Sequence, residues 1–162
     1  MNRREEVRIR IRSVRYEVEE SLFSKDNDEM IAEDTLRVEP ETIEISSIGR
    51  LTLNDGRVEI AYDETEITGM DGSTTAISFL LDQAGVVSMI REGAVSTVLV
   101  FESKKRHHCI YNTPFMPFEI CVHTLKVDNR LLDENEKYLD LDYIIEIRGA
   151  QAERTKFRME LL

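Results

Sequence analysis

Residues 74–123 read TTAISFLLDQAGVVSMIREGAVSTVLVFESKKRHHCIYNTPFMPFEICVH. Short apolar stretches follow one another here, each closed by turn-forming residues. Asp82-Gln83-Ala84-Gly85 ends the first, Glu92-Gly93 the second, Ser103-Lys104-Lys105 the third and Thr113-Pro114-Phe115-Met116-Pro117 the fourth. Strands this short, at this spacing, are the pattern of an all-β sandwich or barrel.

The pattern extends outward in both directions. Residues 42–53 and 57–67 alternate apolar and polar positions around Asn54-Asp55-Gly56, and Asp-Gly between such runs is a strong hairpin signal. In the second of these runs Glu64 continues the face of Val58, Ile60 and Tyr62. Downstream, Leu139, Leu141, Tyr143, Ile145 and Ile147 alternate with mostly acidic residues, and Phe157, Met159 and Leu161 alternate with Lys156, Arg158 and Glu160. Near the N-terminus Val7, Ile9 and Ile11 alternate with Arg8, Arg10 and Arg12, after which the apolar parity switches to Val14, Tyr16 and Val18. A bulge or bend near Ser13 is the economical account of that switch. The arginine row is expected to be a solvated face paired with carboxylates on neighbouring strands. Residues 19–40 lose the alternation and are rich in acidic residues. They lack the sixth-position glycine and terminal glutamate of a calcium loop and are expected to form a surface excursion.

These runs predict an all-β chain: a single antiparallel up-and-down β-barrel of about 8–10 strands. Closure, with the first strand meeting the last, hides both edges of such a meander. A two-sheet sandwich is the alternative. The length of 162 residues suits one domain spanning residues 1–162. A formal charge of -11 disfavours nucleic acid and anionic membranes as partners. No apolar run reaches the ~18 residues of a membrane span. The expected location is cytoplasmic, with Cys109 and Cys121 reduced.

Several short motifs, in order, add a family resemblance: Tyr62-Asp63-Glu64-Thr65-Glu66, Gly69-Met70-Asp71-Gly72 with Thr75, Ile90-Arg91-Glu92-Gly93, Val100-Phe101-Glu102, Tyr111-Asn112-Thr113-Pro114-Phe115 and Thr124. In these the chain resembles the YwiB-like family of small bacterial proteins of unknown function. The resemblance implies a calycin-like, that is lipocalin-like, antiparallel barrel. It implies no activity and no catalytic residues. Met116 stands where the family pattern has glycine, and the acidic excursion is longer than usual.

Parity then selects the candidate site. Glu64 and Arg91 each continue an apolar face while carrying a charge, and a buried charge needs partners. Arg91 is the expected partner of Glu64, with hydroxyls from Tyr62, Thr75, Tyr111 and Thr124. This set is the expected anchor for a small, partly apolar ligand inside the barrel. The alternatives are a structural ion pair in a filled barrel, serving an interaction or structural module, and an unrecognised enzyme. Interior bulk discriminates between the first two: Phe79, Leu81, Phe101, Tyr143, Phe157 and Met159 fill the barrel if they all converge. Glu64 and Glu66 share a face as acid–base pairs do, but no nucleophile elbow or phosphate-cradling turn accompanies them. His107, Cys109, Cys121 and His123 form a second cluster. A turn centred on Phe115 sets Cys109 against Cys121 and His107 against His123, and their parity aims all four outward. Zinc is disfavoured on such a flat ladder, and no metal or cofactor is expected. Homodimerisation stays open.

Overall fold

Alternation at period two becomes ten strands in the structure, a computed structural model that describes residues 2–17, 40–65, 72–93, 96–112, 114–148 and 150–162. They are β1 (Arg3–Glu17), β2 (Glu41–Asn54), β3 (Arg57–Asp63), β4 (Thr74–Leu80), β5 (Gln83–Glu92), β6 (Thr97–Glu102), β7 (Arg106–Asn112), β8 (Pro117–Asn129), β9 (Tyr138–Ile147) and β10 (Ala150–Leu161). The acidic excursion lies almost wholly outside the described residues. Among those residues there is no helix long and apolar enough to cross a membrane.

All ten strands belong to one antiparallel sheet in the order β6-β5-β4-β3-β2-β1-β10-β9-β8-β7. The first and last strands do meet, with an unbroken register from Ile9↔Leu161 to Glu17↔Glu153. The free edges belong instead to β6 and β7, which are neighbours in sequence. At one end they are bridged directly, and at the other the turn between them is tied to β8. Ser96 and Asn112 exchange backbone hydrogen bonds of 3.1 and 3.0 Å. At the other end Lys104 N donates to Thr124 O at 2.8 Å, and Thr124 N donates to Lys105 O at 3.0 Å. The sheet is thus a nearly closed barrel.

The Asp-Gly hairpin forms as expected. Asp55 and Gly56 have φ of 52° and 79°, the left-handed pair that a two-residue turn between twisted strands demands. The bulge near Ser13 does not form: β1 keeps an uninterrupted register against both β2 and β10 through Ser13. Ser13 and Arg15 therefore continue the inner face of Ile9 and Ile11. Val14 and Tyr16 point outward, with the Lys156 ammonium 5.7 Å from the centre of the Tyr16 ring. The outer arginines meet carboxylates on the adjacent strands, Arg10 with Glu160 at 3.8 Å and Arg12 with Glu44 at 3.6 Å.

The hairpin turns at 55–56, 81–82 and 103–105 and the longer β8–β9 link gather at one end of the barrel, its base. The interior there is packed solid. Ile60, Ile77, Val87, Met89, Phe101, Leu139 and Met159 are fully buried, and Phe101 tilts against Tyr143 with ring centres 4.6 Å apart. From the β8–β9 link Leu131 enters this core, 1% exposed. Asn129 fastens the base by donating from its side chain to Ala84 O at 3.0 Å. Five of the six bulky residues expected inside are buried. Leu81 is the exception, 48% exposed because it sits in the β4–β5 turn rather than on the strand.

Candidate functional site

Toward the opposite end the packing gives way to a cavity of about 430 Å³. Registers explain its polar lining. Tyr62 pairs with Thr75, Thr75 with Arg91 and Arg91 with Thr97, so one inward row crosses β3 to β6 just above the level of Ile77, Met89 and Leu99. A second row crosses the other wall: Thr124 pairs with Tyr143, Tyr143 with Thr155 and Thr155 with Arg15. Glu64 follows Tyr62 at the end of β3, where its N–H donates to Ser73 O at 2.8 Å. Of the expected residues, Tyr62, Glu64, Arg91 and Tyr111 line the cavity. Thr75 stands behind Glu64, and Thr124 is buried beside Tyr143 without lining the cavity.

Glu64 is only 5% exposed. Its Oε1 accepts a 2.7 Å hydrogen bond from the Thr75 hydroxyl, while its Oε2 is buried with no hydrogen-bond partner among the described residues. Arg91 Nε is likewise buried and without a partner among them. Among the described residues these two side chains form no ion pair, so Thr75 takes the place that parity assigned to Arg91. Burial pushes the Tyr62 hydroxyl well above its ordinary pKa; the Glu64 carboxylate adds to this and Arg91 opposes it. Tyr143 is shifted upward by burial too. Both phenols are therefore held in the neutral form across the physiological range and serve as hydrogen-bonding groups rather than as bases.

Arg15 and Glu153 also line the cavity, with Arg15 Nε 3.8 Å from Glu153 Oε2. The expected bulge had turned Arg15 to the outside. The unbroken β1 register places it within, and the sequence hint is that Arg15 breaks the spacing of Arg8, Arg10 and Arg12 by one residue and so shares the parity of Ile9 and Ile11.

The second cluster does not assemble. The β7–β8 turn pairs Asn112 with Pro117, one residue out of the expected register. Cys109 faces Ile120 and His107 faces Val122, whereas Cys121 faces His108 and His123 faces Arg106. The two pairs thus occupy opposite faces of the sheet. Cys109 and His107 share the core face of Ile120 and Val122, against the expectation that all four face outward. Cys121 and His123 keep the other face yet are only 8% and 9% exposed, beside Glu146, which accepts a 3.0 Å hydrogen bond from Arg106 Nε. Both cysteines are free thiols. Burial first, then the Glu146 carboxylate, pushes Cys121 up to about 11. The native state therefore holds the thiol proton more tightly than the unfolded chain does. That contribution to stability is complete below the unfolded pKa near 9 and is lost as pH rises from there to about 11. Thiol titration at pH 8 is expected to find both cysteines in unfolded, non-reduced protein and Cys121 strongly protected in the native state. Rapid native labelling of Cys121 would contradict its burial.

An antiparallel barrel packed at its base and hollow at its mouth is a cup-shaped β-barrel protein. The chain belongs to the family described as Domain of unknown function (DUF1934), whose profile matches residues 29–159. Among solved structures it is similar to the ywiB protein from Bacillus subtilis, with a TM-score of 0.64 and 17% identity over 97% of this chain and 93% of that one. This upholds the resemblance drawn from the sequence motifs. No curated protein matches.

Proposed function

We propose that this protein is a non-catalytic binder of a small, partly apolar molecule held in the upper half of its barrel. The observation that carries this is Glu64: a carboxylate 5% exposed, lining a cavity of about 430 Å³, with one oxygen unsatisfied among the described residues. A buried polar atom without a partner is costly; a guest that supplies the partner recovers the cost. The volume falls within the ~300–1,000 Å³ of small-molecule sites. Tyr62, Arg91 and Tyr111 join Glu64 in contacting the guest, Thr75 fixes the carboxylate, and Thr124 backs Tyr143. The cytoplasm suits two unpaired thiols on opposite faces of one hairpin.

Native mass spectrometry of gently purified protein is expected to show a retained guest, absent after unfolding and refolding. If only the bare chain is seen, and no small amphiphile raises its melting temperature, the interior serves packing alone. The second reading, an interaction module or homodimer, draws on exposed apolar side chains near the β6–β7 edges: Val98 at 47%, Ile110 at 53%, Phe115 at 94% and Met116 at 64%.

A further inference from the structure

We propose that the guest's head is a paired hydrogen-bond donor and acceptor, as in a zwitterionic α-amino acid or a primary amide, carried on an apolar body. This rests on the cavity being a binding site. Two of the residues that line it each carry a buried polar atom with no partner among the described residues: Glu64 Oε2, an acceptor, and Arg91 Nε, a donor. The two side chains belong to the same wall, Glu64 just beyond Tyr62 and Arg91 across Thr75. Among the described residues they nevertheless form no ion pair. A group that donates to one and accepts from the other satisfies both at once.

Single-charge heads fit worse. A fatty-acid carboxylate drawn to Arg91 is repelled by Glu64, and an amine drawn to Glu64 is repelled by Arg91. These are like-charge contacts in a site where low polarity strengthens them. The lining as a whole has no preference for net charge, since Arg15 and Arg91 are matched by Glu64 and Glu153. Arg15 and Glu153 already face each other at 3.8 Å near the mouth, which leaves Glu64 and Arg91 as the pair still to be bridged. The terminal torsion of a glutamate is broad, so the carboxylate can turn its free oxygen toward the guest while the Thr75 hydroxyl follows. Ile11, Ile43, Ile45, Leu99 and Ile120 supply the apolar wall for the body of the guest.

The test is calorimetric titration of the intact protein with five probes sharing one phenyl body: phenylalanine, 3-phenylpropanamide, 3-phenylpropanoate, 2-phenylethylammonium and ethylbenzene. The expected result is that phenylalanine or the amide binds at least about tenfold more tightly than the anion and the cation. Glu64→Gln is expected to narrow the preference for phenylalanine over the anion, and Arg91→Met the preference over the cation. Circular dichroism confirms that each variant is folded. Equal affinity for all five probes, or tightest binding of the anion, overturns the head-group assignment while leaving a binding cavity in place. If none of the five binds, ethylbenzene included, both the assignment and the binder reading fall.

Discussion

Phe101→Ala is expected to destabilise the protein by about 3–5 kcal/mol, a large part of the ~5–15 kcal/mol that holds a domain together. Phe101 is 0% exposed and lies on β6, one of the strands with a free sheet edge. Its ring contacts Tyr143 from the far wall. A 3.2 Å contact between His107 Nε2 and Glu102 Oε1 also joins β6 to β7 near the base, but it cannot replace the buried ring. Truncation therefore removes dispersion contacts and leaves a void that strands tied elsewhere cannot collapse to fill. For a chain of this size the melting temperature is expected to fall by about 6–20 °C. Urea denaturation with an unchanged m-value checks the effect as one of stability. A loss below about 1 kcal/mol would show that the packed base does not exist as described.

Thr75→Val is expected to cost about 1.5–3 kcal/mol although it changes the volume of a fully buried side chain very little. The Thr75 hydroxyl supplies the 2.7 Å hydrogen bond to Glu64 Oε1, and Oε2 has none among the described residues. Removing the donor strands a carboxylate that is almost out of reach of water. Replacing both partners, as in Thr75→Val with Glu64→Leu, removes the unsatisfied group altogether and is expected to restore most of the loss. A double-mutant cycle reads the coupling directly. Additive losses from the two changes would mean that Thr75 and Glu64 do not form the contact. The double variant is also expected to lose any guest that depends on Glu64, a trade of function for stability.

The barrel itself was legible because one face of most strands is apolar and the other is not, so alternation reports the strand directly. Turn chemistry gave the Asp55-Gly56 hairpin. Glu64 was legible for a related reason: it breaks the chemistry of its face without breaking the period. The same reasoning misled at Ser13. Near the mouth the barrel interior is itself polar, so Ser13 and Arg15 face inward while Val14 and Tyr16 face outward. A parity inversion marks a bulge only where the inside is apolar throughout; here it marks the cavity. The Glu64–Arg91 pairing could not be read, because register places side chains on a face but not their heads within bonding distance. In the β7–β8 turn a single residue decided whether Cys109 met Cys121 or Ile120. Loop length in that turn is not set by any left-handed glycine.

The position of β1 has a consequence for the life of the chain before it is complete. Of the ten strands this one is made before the others, yet one of its long edges is filled only by β10, the last of the ten. At about 5–20 residues per second of synthesis, β1 waits roughly 7–30 s for its second neighbour. During that interval it is an unpaired edge beside other growing copies of itself, the setting in which nascent β proteins aggregate. The arginines at 8, 10 and 12 give it a guard. Two such strands laid edge to edge would bring cation rows together, whereas β10 sets Glu160 opposite Arg10, and its Arg158, opposite Arg12, is already paired with Asp140 and Glu160.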